Sequence, residues 1–405
     1  MRKHSGIKGL NKTLLVIGAG SAQIKGIERA KEIGCRVIAI DGSPHAPGLA
    51  AADETIVVNF TDARALNVAI KNLTFDAVVA FACEAALPAI ARIAHARGLP
   101  GLSPEQAALG RNKFAVRERC RKAGIATPFY KRANTSGDAR KACEAAGFPC
   151  VIKPVDSAGS RGVTLISHAE EVVQAFERAA AASSLKSVLI EEFMYGMESS
   201  VEGFVLQDGV HILALSDKIR TLPPYLLDTE VIFPTQYSGK LFDEIKEMAT
   251  RVVQCLELSP TPFHMEMMVT PKGPMLVEVG LRGPGFKVFS EMIPRVTGID
   301  VIEASIRLAF GLPVRFPKPT SKGAVIKFFA GRKGVVRTID GVESSRKVPG
   351  IEEVELYVKP GDKTRDLTSS SDRLGHVIAY ANDRQTAIAA ADKAFGKTRI
   401  GYERD

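Results

Sequence analysis

Between Lys12 and about Gly110 short apolar runs alternate with amphipathic stretches, and this alternation constrains the fold more than any other feature of the chain. "TLLVIGAG" reads as a strand, "IKGIERAKEIG" places its apolar residues at helical spacing and stops at Gly34, and "CRVIAIDG" is a second strand ending at Asp41. "ETIVVNF", "FDAVVAF" and the helical "EAALPAIARIAHARG" continue the series. A repeated strand–helix–strand order predicts a parallel sheet with helices on its faces.

The turn after the first strand, Gly18-Ala19-Gly20, with Asp41 ending the second, imitates a dinucleotide fingerprint. Gln23 stands where the third glycine would be, so a tight turn with close helix packing is the favoured reading over NAD binding and an oxidoreductase.

A chain of 405 residues accommodates two or three domains at about 150 residues each. The pattern divides it into an N-terminal open parallel α/β domain over residues 1–111, a central domain over 112–310 with a small lobe at about 125–188, and a mixed α+β domain over 311–405. In the central part, "NKFAVRERCRKAGIATPFY" is a helix closed by Gly124, and "KLFDEIKEMATRVVQCLE" is another. The strands "VLIEEF", "SSVEGFVLQ", "VHILALSDK", "FHMEMMV" and "PMLVEVG" lie around them, the last two joined by the turn "TPKG". In the last part "DRLGHVIAYANDRQTAIAAADKAFG" reads as a strand and a helix that Asp383 could cap. No catalytic cluster is visible there, and it reads as a packing domain.

The net charge of +9 points to small anions such as nucleotide phosphates. A nucleic-acid partner is disfavoured, because the basic residues are scattered among acids and aromatics are only 6%. The six cysteines show no CxxC spacing, which argues against a zinc site or a disulfide framework. The apolar stretch after the basic N-terminal residues is too short for a signal peptide, and no run reaches membrane-spanning length. No membrane association and a cytoplasmic location are therefore expected.

Three segments carry the chemistry. In "VIKPVDSAGSRGV", Lys153 sits among apolar residues, where an ammonium is costly unless an anion meets it. The loop that follows, with Ser157, Gly159, Ser160, Arg161 and Gly162, can turn backbone N–H groups toward that anion. The pair describes a phosphate clamp, the alternative being an exposed hairpin tip. In "VLIEEFMYGMESSVEGFV" a strand end at Glu191, Glu192, Phe193 and Met194 offers main-chain groups to an adenine, with Glu198 available for ribose hydroxyls. The alternative is a solvated acidic edge. Finally, Glu266 in "FHMEMMV" and Glu278 in "PMLVEVG" are two acids among apolar neighbours, and a shared Mg²⁺ would explain both. The alternative places them on opposite faces of an ordinary hairpin. His264 reads as a packed histidine of an apolar strand.

In this order the segments resemble the ATP-grasp superfamily of carboxylate–amine ligases, and look most like the branch of L-amino-acid ligases, carnosine-synthase-like proteins and carbamoyl-phosphate-synthase relatives. The likeness covers nearly the whole chain, from "VIGAG…VIAIDG" through "RNKFAVRERCRKAGIATP", "VIKP" and "IEEFMYGME" to "SDRLGHVIAYANDRQTAIAAAD". It implies an ATP-grasp fold preceded by a Rossmann-like domain, with ATP and Mg²⁺ (or Mn²⁺) as cofactors. Lys113 and Lys153 would contact phosphates under the glycine loop, Glu191 to Met194 would hold adenine, and Glu198 the ribose. Glu266 and Glu278 would bind magnesium and Arg282 would steady an acyl phosphate. Lys218, Arg220 and Glu230 fall in a segment similar to one that lines the substrate site of amino-acid ligases. The implied reaction joins a small-molecule carboxylate to an amine, with amino-acid-like substrates. Other acyl-phosphate chemistry, biotin-carboxylase-like or purine-pathway, and nucleotide binding without turnover are the alternatives. A homodimer is compatible with the resemblance.

One position departs from the family pattern, which reads Glu-x-Asn-x-Arg where this chain has Glu278-Val279-Gly280-Leu281-Arg282. Glycine offers no side-chain ligand. A water or a neighbouring group fills the place, or the second metal is held more weakly, or the full reaction is lost; the first two are favoured because the other charged positions are filled.

Overall fold

The computed structural model describes residues 10–403, so most of the basic N-terminal stretch lies outside the described residues. The alternating first segment forms a four-stranded parallel sheet from β1 (Thr13–Ile17), β2 (Arg36–Asp41), β3 (Glu54–Val57) and β4 (Ala77–Val79), in the order β3-β2-β1-β4. Its central strands are buried on both faces, as continuous apolar runs require. Helices α1 (Ile24–Glu32) and α2 (Ala63–Ile70) make crossovers, and α3 (Leu87–Arg97) follows β4. The Asp41 carboxylate accepts hydrogen bonds from the N–H groups of Ala19 and Ser43, each at 2.8 Å, and buried Gln23 donates to the Phe81 carbonyl. Both residues are engaged in holding the turn at Gly18, whose φ is +92°. That agrees with the tight-turn reading of this glycine pair.

The next strands form a small antiparallel sheet, β5 (Tyr130–Ala133), β6 (Cys150–Pro154), β7 (Thr164–Ile166) and β8 (Val188–Glu192), in the order β5-β8-β6-β7. Before it stand helices α4 (Pro104–Gly110) and α5 (Lys113–Lys122), and against it pack α6 (Ser136–Ala146) and α7 (Val172–Ala182) through a core rich in alanine and isoleucine.

The largest sheet has eight strands. It runs β13 (Gly273–Gly280), β12 (Thr261–Thr270), β9 (Met197–Leu206), β10 (Gly209–Arg220), β11 (Asp228–Phe233), then β14 (Gly323–Phe329), β18 (Gly375–Ala381) and β16 (Ile351–Leu356). Helix α8 (Gly239–Cys255) covers its first half. β15 (Gly334–Asp340), β17 (Lys363–Thr364) and β19 (Arg399–Tyr402) make a separate small sheet, and Asp383 caps the last helix, Arg384–Phe395, by accepting from the Thr386 N–H. Because β11 pairs with β14, strands on either side of residue 310 share one sheet. All six cysteines are free thiols, and no helix among the described residues is long and apolar enough to cross a membrane.

Candidate active site

The β12–β13 hairpin sets the geometry. Its turn at Thr270–Gly273 fixes a register in which Glu266 stands directly opposite Glu278, and His264 opposite Gly280. Directly opposed residues of an antiparallel pair share a face, and strand alternation sends Phe263, Met265 and Met267 into the core while His264 and Glu266 face outward. Glu266 and Glu278 both line two neighbouring cavities, so the opposite-face alternative does not hold.

One cavity, about 770 Å³, gathers Lys113, Lys153, Ser157, Ser160, Glu191, Glu192, Phe193, Met194, Glu198 and Arg220 with the two acids. Val151, Val163, Leu226, Met268 and Val277 give it apolar walls that the sequence reading had not singled out. The other cavity, about 950 Å³, holds Arg282, Gly280, Gly159, Ser160 and Lys218. The predicted carboxylate pair stands where the two cavities meet.

Behind the first cavity lies a buried ion cluster. Asn112 caps α5, and one helical turn separates Lys113 from Arg117, which is only 2% exposed. The Arg117 Nε donates to Glu191 at 2.7 Å, and Lys153 Nζ lies 2.6 Å from the other Glu191 oxygen. Lys153 and Arg117 also reach the Val277 carbonyl, at 3.4 and 3.0 Å. Burial disfavours the Glu191 carboxylate, but Arg117 and Lys153 outweigh it and hold the group below its ordinary range. For Lys153 burial dominates and, with Arg117 and Lys113 nearby, pulls the ammonium down despite Glu191. Lys113 bonds to the Ser157 carbonyl and lies 3.1 Å from Glu278. The side chain of Glu191, expected beside adenine, thus anchors Lys153 and Arg117. Arg117 escaped the sequence reading, although its place four residues after Lys113 was the available signal.

A second cluster centres on Lys218, which faces Glu198 at 3.3 Å and Asp228 at 3.0 Å and also bonds Glu266. Burial opposes this ammonium, yet Asp228, Glu266 and Glu198 raise it well above its usual value. Arg220 pairs with Glu198 at 2.7 Å. Glu198 is itself pushed up to about 7, first by burial and then by Glu266 and Asp228, against the pull of Lys218 and Arg220. His264 bridges Glu202 at 2.8 Å and Glu266 at 3.4 Å; burial would depress it, but the two carboxylates raise it to about 9. Burial disfavours ionised Glu266 too, and Lys218 with His264 reverses that, holding it well below the carboxylate range. Lys218 and Arg220, expected to recognise substrate, are engaged with carboxylates of the site. Glu230 lies outside both cavities, paired with Lys327 at 3.0 Å, because the β11–β14 register sets these two side by side.

The loop after β6 carries left-handed residues at Gly159 (φ +69°), Ser160 (φ +57°) and Gly162 (φ +76°). Gly162 packs so closely on Ala182 and Pro154 that a Cβ would come within 3.0 Å of each, and it lines neither cavity. Gly280 differs: a Cβ there would meet nothing nearer than 3.7 Å, the Glu84 carboxylate. Arg282 donates to that same Glu84 at 2.8 Å and to the Gly283 carbonyl.

The last segment contributes more than packing. Phe328, Ser370 and Arg373 line the larger cavity, so this part does more than the packing expected of it. The Arg373 guanidinium lies 3.7 Å from the ring centre of Phe328 and 4.3 Å from that of Phe286, and donates to the Asp228 carbonyl at 2.6 Å. Its Nε has no partner, and burial pulls it down to about 10. No local signal marked it, since its neighbours come from strands far away in the chain.

Two opposed carboxylates before a set of lysines suit a hard divalent cation such as magnesium; Lys113, Lys218 and His264 compensate the pair here. A family model described as "ATP-grasp domain" matches residues 146–288, and one described as "L-amino acid ligase C-terminal domain 2" matches residues 327–403. An uncharacterized protein of Sinorhizobium fredii is 28% identical over 79% of this chain and 67% of its own length. The formate-dependent phosphoribosylglycinamide formyltransferase of a Synechococcus strain is 27% identical over 94% of this chain and 95% of its own. Among solved structures, the L-amino acid ligase of Bacillus licheniformis superposes with a TM-score of 0.85 at 23% identity, covering 97% of this chain and 99% of that one. With these matches over the segments that build the two-cavity site, the chain carries an ATP-grasp domain at residues 146–288 and shares its fold with the L-amino acid ligase.

Proposed function

We propose that this protein uses ATP and Mg²⁺ (or Mn²⁺) to join the carboxylate of one amino-acid-like substrate to the amine of another. The observation that carries the reading is the place of Glu266 and Glu278, at the junction of a lysine-lined cavity and an arginine-lined one. In this reading residues 1–111, 112–310 and 311–405 are its domains.

Backbone groups of Glu192 to Met194 meet adenine between Val151, Met268 and Val277, and Glu198 faces the ribose. Lys113 and Lys153 offset phosphate charge, with Lys153 held in place by Glu191. A substrate carboxylate oxygen attacks the γ-phosphorus, the bond to the bridging oxygen breaks, and ADP leaves an acyl phosphate. Glu266 and Glu278 would hold a magnesium ion, which would supply positive charge to offset that of the phosphates. Arg282 steadies the acyl phosphate while the amine attacks the acyl carbon, loses a proton and expels phosphate. Hydrolysis competes with that step, and the loop Ser157–Gly162 is the natural lid against water. Arg373, a buried guanidinium without a carboxylate salt bridge, offers a seat for an anionic group on one substrate. The proposal includes a cytoplasmic location, in keeping with six free thiols, and a homodimeric assembly.

Purified protein with ATP, Mg²⁺ and pairs of amino acids should release phosphate only when both partners are present. Nucleotide binding without pair-dependent release would leave a binding protein instead. Glu278→Gln should abolish release while nucleotide still binds; an unchanged rate would show that the metal lies elsewhere.

A further inference from the structure

Away from the cavities, β16 and β18 bring Glu355 directly opposite His376, with Glu353 beside them. One ligand atom from each of the three lies within 4.8 Å of the others. His376 is only 1% exposed, yet its Nε2 has no hydrogen-bond partner. It points at the two acids, 3.4 Å from Glu353 and 3.9 Å from Glu355. Its other nitrogen, Nδ1, is 2.7 Å from the Tyr357 hydroxyl, which holds the ring in place. Lys287 sits on Glu353 at 2.5 and 2.6 Å and reaches Glu355 at 3.2 Å. One ammonium offsets only one of two carboxylates, and its hydrogen bonds go to Glu353 and Glu355, leaving the imidazole nitrogen without a partner.

We infer that Glu353, Glu355 and His376 form a second cation site, for a divalent transition metal such as Zn²⁺ that takes the place of the Lys287 ammonium. An imidazole nitrogen with two carboxylate oxygens suits zinc better than magnesium, which prefers oxygen alone. The half-exposed Glu355 leaves the ion a way in. Lys287 follows Phe286, which lines the larger cavity, so metal binding would loosen the tie between this loop and β16. The inference does not depend on the ligase reading.

Tag-free full-length protein, stripped with chelator, is titrated with Zn²⁺ by calorimetry in saturating ADP and Mg²⁺, which occupy the nucleotide site. One zinc per chain is expected, and both His376→Ala and Glu355→Gln should weaken it by about tenfold or more. Lys287→Met should tighten it, because the competing ammonium is gone. Absence of saturable zinc binding, or binding equal in wild type and Glu355→Gln, would overturn the assignment. Glu355 is half-exposed and its exchange spares the core, so that variant decides even if His376→Ala fails to fold.

Discussion

The Glu84 carboxylate, at the end of the N-terminal parallel sheet, lies 2.8 Å from the Arg282 Nε, two residues beyond the end of β13. This pair ties the segment after β4 to the strand that carries Glu278 and holds the arginine at the wall of the larger cavity. Glu84→Gln keeps the shape and removes the charge. Turnover should fall by about tenfold or more, while stability changes by no more than about 1 kcal/mol, since both partners are partly exposed. Phosphate release and a denaturant titration check the two halves; full activity in the variant would free Arg282 of any need for Glu84.

Gly280 has room for a side chain, with only ordinary contacts to Glu84 and Arg282 around a Cβ. Gly280→Asn should therefore fold normally. If an absent ligand limits the second metal, the Mg²⁺ concentration for half-maximal phosphate release should drop in the variant. An unchanged or higher requirement would mean that another group, with Glu84 the nearest, already serves that place.

Arg117 and Lys153 together compensate Glu191 in a fully buried setting. Arg117→Met removes one cation and leaves an under-compensated charge, which should cost about 3–5 kcal/mol. Nucleotide affinity should drop as well, because Lys153 loses its anchored partner. Chemical denaturation followed by nucleotide titration tests this, and a variant as stable as wild type would show that the cluster contributes little.

Asp372, next to Arg373, accepts from the N–H groups of Thr368 and Ser369 and pairs with Arg365 at 2.6 Å. Burial works against this carboxylate, but those hydrogen bonds hold it below its ordinary range. The folded chain thus releases the proton more readily than the unfolded chain. The resulting stability is complete above about pH 4 and is lost as pH falls through the lower folded value. Asp372→Asn should cost about 1–3 kcal/mol at neutral pH and flatten the acid limb of the stability profile below about pH 4. An acid limb identical to wild type would assign that titration to other groups.

The local patterns of this chain were readable without a structure because they depend on near neighbours. Short apolar runs marked β1, β2 and the strands of the β12–β13 hairpin, period-3.6 spacing marked α1, and the conformational needs of glycine marked the loop after Lys153. Those same patterns placed Glu266 and Glu278 on adjoining strands, as the register has them. The partners of each charge came only from the fold. Arg117 meets Glu191 across 74 residues and Arg282 meets Glu84 across 198, and Arg373 reaches Asp228 across 145. No local preference encodes such pairings, because they arise when separate sheets bury their faces together and each buried charge must find an opposite one. For the same reason Glu230, attractive by its segment, turned to Lys327 and away from the site, while a buried arginine from the last segment turned toward it.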